Sequence, residues 1–337
     1  LSCNQVPNFD LSILDVKRID IETAQIDNVD IYINQDRVVL IQNADLKNLV
    51  AKETVNAKGA FAIPGLWDNH IHFRGGESLL KDNEMFLEQL IDYGITSVRD
   101  AGGDLAISIK RWQLEISKNE RIGPTIFTSG PKIDGRNPTW QGSLEVESEA
   151  ELDQALDSLE QLEVDFIKIY DSKLNGRLFL SALKKSKTRG FKSSGHMPFS
   201  VTLNQALDAG MNGVEHLYYI LKGSSKDELE ITKQFQSGTL GFWQAMPLLI
   251  NSYDDATAQS LFNKLKQLEV FVIPTLYIGN TLSYLDEIDH SNDEYLNSLS
   301  PSFKRTYERR IKSSRNSSPE TRANRKKLDT LFGKLAL

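Results

Sequence analysis

From about residue 61 onward, short apolar runs of strand type alternate with longer stretches of helical periodicity, and no other feature constrains the fold as strongly. The strand-like runs fall at about 63–72, 95–99, 124–129, 165–170, 191–196, 213–217 and 270–276. Helical patterns such as "NEMFLEQLIDYG" (83–94), "EAELDQALDSLEQLE" (149–163) and "GRLFLSALKKSKTRG" (176–190) separate them. Strands joined through helices pair in parallel. A single series of seven implies an α/β chain with a (β/α)8 TIM-like barrel one strand short. A doubly wound open sheet is the alternative, weakened because no glycine-rich phosphate loop follows the first strand. Before the series, "VDIYINQ" (29–35) and "RVVLIQN" (37–43) read as strands of a small N-terminal β-sandwich segment. The expected organisation is a tether over 1–10, the β segment over 11–60 and the barrel, lacking strand eight, over 61–337.

With 337 residues, 40% of them hydrophobic, the chain can bury a large core. Its net charge of −7 argues against nucleic acid as a partner. No apolar run reaches the roughly 18–20 residues of a membrane span. Cys3 is the single cysteine, so no intrachain disulfide can form. Leu1-Ser2-Cys3 resembles the end of a bacterial lipoprotein signal. That implies a lipid anchor at Cys3 and a place in the cell envelope, lipid-anchored or periplasmic; an incidental cysteine leaves a cytoplasmic location open.

Four of the five histidines lie where strands end. In "AIPGLWDNHIHF" (62–73), His70 and His72 share a strand face because side chains alternate with period 2. His196 closes "FKSSGH" and His216 closes "GVEH". Barrel enzymes place their chemistry at the C-terminal ends of strands, and paired imidazoles on a rigid strand make a metal-binding edge. His290, in "EIDHSND", reads as a solvated loop residue. Lys168, in "DFIKIYDS", is either a lysine reaching solvent or one converted by carbon dioxide into a carbamate that can bridge two metals.

Pro64-Gly65-Leu66, Asp68-x-His70-x-His72, Lys168, His196 and His216 together resemble the amidohydrolase superfamily, nearest to members related to imidazolonepropionase and to metal-dependent Xaa-Pro dipeptidases. The resemblance implies two divalent ions, zinc being the expected metal. His70 and His72 hold the deeper ion, His196 and His216 the shallower one, and carbamylated Lys168 bridges them. Lys168 and His216 are the implied catalytic residues. The implied reaction is hydrolysis of a C–N bond by metal-activated hydroxide, on an Xaa-Pro dipeptide, an N-acyl amino acid or another small amide. Asp68 shares the ligands' strand parity and is placed to orient an imidazole, and Asp100 to shape the pocket floor; for both, a structural hydrogen-bonding role is expected over a catalytic one. Tyr170 and Tyr218 are candidate substrate-binding residues, and Trp140 lies in a neighbouring loop; each of the three could equally be packing.

The family also uses an aspartate at the end of strand eight, and after "FVIPTLYI" no acid ends an apolar run. The sequence therefore reads as an amidohydrolase cut before its last strand, whose open edge invites pairing with another copy. A non-catalytic metal-binding envelope protein is the competing reading. Finally, "KRTYERRIKSSRNSSPETRANRKK" (304–327) carries ten basic and two acidic residues. It is either a solvated helical face broken at "SSRNSSPE" or an insertion at the barrel mouth that attracts an acidic substrate or lipid headgroups.

Overall fold

The structure, a computed structural model, describes residues 8–47, 49–290, 292 and 294–337. Cys3 and most of the expected tether lie outside the described residues. The chain divides into two compact units, one ending at Leu66 and one spanning Trp67–Leu337.

The first unit is one five-stranded sheet rather than two packed layers. Its long strand Phe9–Ile19 pairs antiparallel with Ile26–Asn34 and parallel with Ala51–Asn56 and Phe61–Ala62. Ile26–Asn34 and Arg37–Asn43 form the hairpin expected from the two β-branched runs. Val16, Val29 and Tyr32 are its buried apolar residues.

The second unit carries all seven expected strands: Leu66–Ile71, Ile95–Asp100, Thr125–Thr128, Ile167–Ile169, Ser193–Gly195, Gly213–Glu215 and Phe271–Ile273. They fall into two sheets, and no closed barrel forms among the described residues. The first three strands make one sheet. The other four, with the short pieces Ile133–Asp134 and Leu144–Glu145, make the second. At the junction, the Asp165 N–H donates to the Thr128 carbonyl while the Asp165 carboxylate accepts from the Thr128 N–H, so a side chain replaces part of the ladder.

Several helices start where the sequence offers caps. Ser148 and Glu151 form a capping box for Glu149–Gln161, and Thr202 and Gln205 do the same for Leu203–Asp208. Leu152, Ala155, Leu156 and Leu159 then present one apolar face to the core, at the spacing a helix requires. The expected strand at 213–217 stops at Glu215, because His216 adopts a left-handed backbone (φ 66°) and the helix Tyr218–Gly223 follows. The basic segment forms two helices, Pro301–Arg315 and Pro319–Ala336, split at Ser318-Pro319. Leu328, Phe332 and Leu335 of the second helix join the main core. No helix among the described residues is long and apolar enough to cross a membrane.

Candidate metal centre

The histidines converge. His70 and His216 rings lie 4.7 Å apart between centroids, His196 and His216 4.8 Å, and His70 and His72 4.9 Å. All four line a cavity of about 770 Å³, which Tyr170, Trp140, Arg74 and Lys132 also border. Close strand packing requires glycine around them. A Cβ on Gly195, next to His196, would stand 2.1 Å from the Ile169 carbonyl oxygen; one on Gly103 would stand 1.9 Å from that of Phe73.

Lys168 and Glu215 lie beneath the histidines, both fully buried. Glu215 accepts from His70 Nδ1 (2.7 Å), Arg99 Nη2 (2.8 Å) and the Ser194 hydroxyl. Lys168 Nζ stands 3.5 Å from Glu215 Oε1 and has no hydrogen-bond partner among the described residues. Burial drives the Lys168 ammonium down to about 8 despite Glu215. Burial alone would raise Glu215; Lys168, His70 and Arg99 together hold it well below the usual carboxylate range. Burial also pushes all four imidazoles below their ordinary value, so they are neutral at pH 7.

Each ring is oriented from behind. His70 Nδ1 donates to Glu215, and His72 Nδ1 donates to the Gly102 carbonyl at 2.7 Å. His216 Nδ1 lies 2.6 Å from the Thr275 hydroxyl. His196 Nδ1 lies 3.4 Å from Asp171, which accepts from the Tyr219 hydroxyl at 3.1 Å and is raised to about 7 by burial. His216 and Thr275 both carry positive φ, 66° and 49°, which is costly for residues with a Cβ and common at functional sites.

The donor set suits a cation. A carbonyl can only accept, so His72 keeps its proton on Nδ1 and a lone pair on Nε2; the Glu215 carboxylate imposes the same on His70. Those two Nε2 atoms face each other at 3.2 Å. Two lone pairs at that distance repel unless a cation lies between them. Two nitrogen ligands on one tetrahedral zinc, each at about 2.0–2.1 Å, stand roughly 3.3 Å apart. Among the described residues, no three His, Cys, Asp or Glu side chains already form a complete ligand group. The fit rests on this histidine pair and on the unbonded Lys168 Nζ.

No family model matches the chain. Adenine deaminases of Thermosipho africanus (strain TCF52B) and Thermosipho melanesiensis (strain DSM 12029 / CIP 104789 / BI429) are 35% and 36% identical to it over 89 residues, 26% of this chain and 14% of each of theirs. Among solved structures, bottromycin amidohydrolase superposes with a TM-score of 0.63 at 18% identity, over 96% of this chain and 65% of its own. A Xaa-Pro dipeptidase with methionine bound in the active site gives 0.61 at 17%, over 88% and 72%. Aspergillus niger ochratoxinase gives 0.54 at 14%, over 82% and 79%. The chain shares the fold of these three solved structures.

On this scaffold several expectations need correction. Asp68 has the expected structural hydrogen-bonding role, its carboxylate accepting from the His70 backbone N–H at 3.0 Å rather than from an imidazole. Tyr218 does not line the cavity, since its ring packs among Phe242, Trp243 and Phe332. Its neighbour Tyr219 bonds Asp171 instead. Lys168 does not reach solvent. His290 is not a free loop residue; its Nδ1 lies 2.7 Å from the Tyr307 hydroxyl. Tyr170 does border the cavity, its ring tilted 36° to that of His196 with centroids 4.2 Å apart. Asp100 is the last residue of the neighbouring strand, Ile95–Asp100. It accepts from the Phe73 N–H and the Thr128 hydroxyl, and burial raises it to about 6. Sequence reasoning missed Glu215, Arg99, Asp171 and Thr275. The one available signal was Glu215, an acid inside the apolar run "GVEH".

Proposed function

We propose that the protein is a metal-dependent hydrolase of C–N bonds acting on a small amide. The observation that carries this reading is the pair of neutral imidazoles, His70 and His72, aiming lone pairs at one point beside His196, His216 and a buried, unbonded Lys168. The fold and the short deaminase match are consistent with it.

His70 and His72 would hold the deeper of two ions, His196 and His216 the shallower one, and Lys168, as its carbamate, would stand between them. Zinc is the expected metal, since neutral imidazoles suit it. Divalent ions there supply Lewis-acid polarisation of a carbonyl and acidification of water. The chain does the rest. Glu215 and Gly102 fix the tautomers of His70 and His72 and keep their Nε2 atoms aimed inward. Thr275 holds His216, and Asp171 stands at Nδ1 of His196. Tyr170 lies against His196 at the cavity wall.

The test is hydrolysis of a panel of N-acyl amino acids and Xaa-Pro dipeptides by protein supplied with zinc, followed by chelation. Amine release that chelation removes and zinc restores is expected. Release unaffected by chelation, or none from any member of the panel, contradicts the reading.

A further inference from the structure

The five candidate ligands come from two different sheets. His70 and His72 lie on and just after Leu66–Ile71, in the first sheet of the unit; Lys168, His196 and His216 lie on or just after strands of the second. Leu66–Ile71 ends its sheet and pairs only with Ile95–Asp100. Among the described residues, no backbone ladder joins it to the second sheet. The placing of the imidazole pair against Lys168 and the other two histidines therefore depends on side chains.

One side chain makes that connection at three points. Arg99, on Ile95–Asp100, donates through Nη1 to the Asn69 carbonyl at 3.1 Å and through Nη2 to Glu215 Oε1 at 2.8 Å. Its guanidinium also lies over the Phe166 ring, 4.0 Å from the centroid. Asn69 immediately precedes His70, Glu215 immediately precedes His216, and Phe166 stands two residues before Lys168. A single guanidinium thus grips the chain beside a ligand from each sheet and close to the lysine. Its side chain is only 15% exposed, so surrounding atoms hold the fork in place.

The two oxygens of Glu215 are divided between tasks. Oε1 takes Arg99 and the Ser194 hydroxyl, while Oε2 takes His70 Nδ1 at 2.7 Å. A carboxylate pinned through one oxygen presents the other to His70 in a fixed direction. Arginine suits this task and lysine does not: the planar fork reaches acceptors on two elements at once and stacks on a ring, whereas an ammonium is a point charge on a flexible stem. The carbamate reading adds a second reason. It turns Lys168 from a cation into an anion, and Arg99 is then the one permanent cation left in an ion pair with Glu215 among the described residues.

We infer that Arg99 is a positioning residue that clasps the two sheets through Asn69, Glu215 and Phe166, and so sets the His70 and His72 pair against Lys168, His196 and His216. It acts through Glu215 and the strand that carries His70. Its consequence for metal rests on the hydrolase reading; the clasp itself stands on geometry that needs no metal.

The test compares Arg99→Lys, which keeps the charge and loses the fork, with Arg99→Gln, which loses both, each in the intact chain and each checked for folding by urea titration. The first readout uses protein freed of zinc by chelation. Proton–nitrogen correlation spectra of isotope-labelled histidine report the His70 tautomer, its signals assigned by their loss in His70→Gln. The unaltered protein should show one tautomer, protonated at Nδ1, and both variants a mixture. The second readout is zinc affinity, by competition with a chromophoric chelator. One of the two ions should weaken by about 10–100-fold in Arg99→Gln and by about tenfold in Arg99→Lys, with the other held within about threefold. A merely structural role would lower the urea midpoint and weaken both ions alike, leaving the tautomer single. A single tautomer in both variants, mixed tautomers in the unaltered protein, equal weakening of both ions, or full restoration of both readouts by lysine overturns the assignment. The expected tautomer shift in a protein that binds no zinc supports the clasp and contradicts the metal-dependent reading alone.

Discussion

The strands that build the site are held in two different ways. Ile167–Ile169, Ser193–Gly195 and Gly213–Glu215 are buried along their whole length, paired on both sides and backed by the large core that includes Leu156, Phe179 and Leu183. Leu66–Ile71 and Phe271–Ile273 end their sheets, with Trp67 48% and Phe271 74% exposed. Yet His70 and His72 come from the first of these outer strands and its end, and Thr275 follows the second. The firm region supplies Lys168, His196, Glu215 and His216; the thinner region supplies the facing pair of imidazoles. Glu215 spans the difference, since it bonds His70 and Arg99 on one side and Ser194 on the other. A site divided in this way gains precise aim from buried polar contacts rather than from packing alone.

Five substitutions sharpen or break that comparison. The largest effect is expected from Lys168→Ala, which should lower amide hydrolysis by at least about a thousandfold, because one group serves the whole centre. A rate within tenfold of the unaltered protein, by steady-state assay, would show Lys168 to be a bystander. In the metal-free protein, Glu215→Gln should lower stability by about 3–5 kcal/mol, because it leaves the buried Lys168 ammonium and the mostly buried Arg99 without their counter-charge. Urea titration reads this, and an unchanged midpoint contradicts the bridging role. Phe179→Ala should cost about 3–5 kcal/mol by the same titration, whereas Phe271→Ala on the outer strand should change stability by less than about 0.5 kcal/mol; similar costs would erase the distinction between the two regions. Thr275→Ala should reduce hydrolysis by roughly 10–100-fold and loosen metal, since it removes only the group that steers His216.

Much of the second unit was legible in the sequence because its signals are local. Helical periodicity, capping residues and apolar runs located the seven strands and their helices, and period-2 alternation put His70 and His72 on one face. Glu215 was missed for a physical reason. Alternation assigns it to the face opposite His216, but the left-handed backbone at His216 breaks the alternation, and both side chains turn inward. Asp171 and Thr275 were hidden because their partners, Tyr219 and His216, are 48 and 59 residues away in the chain. Tyr218 misled because the turn into its helix sends adjacent tyrosines to different surroundings. The sheet breaks at Asp165 through a side-chain substitution for a backbone bond, which no periodicity reveals.

The central claim is that the four histidines and Lys168 form a divalent-metal centre. Elemental analysis of the protein after zinc supplementation and exhaustive dialysis tests it most directly, with the His70→Ala/His72→Ala double variant beside it. The account predicts about two zinc ions per chain in the unaltered protein, and loss of at least one in the variant, because the facing lone pairs have gone. Zinc near zero in the unaltered protein, or equal zinc in both, would contradict it.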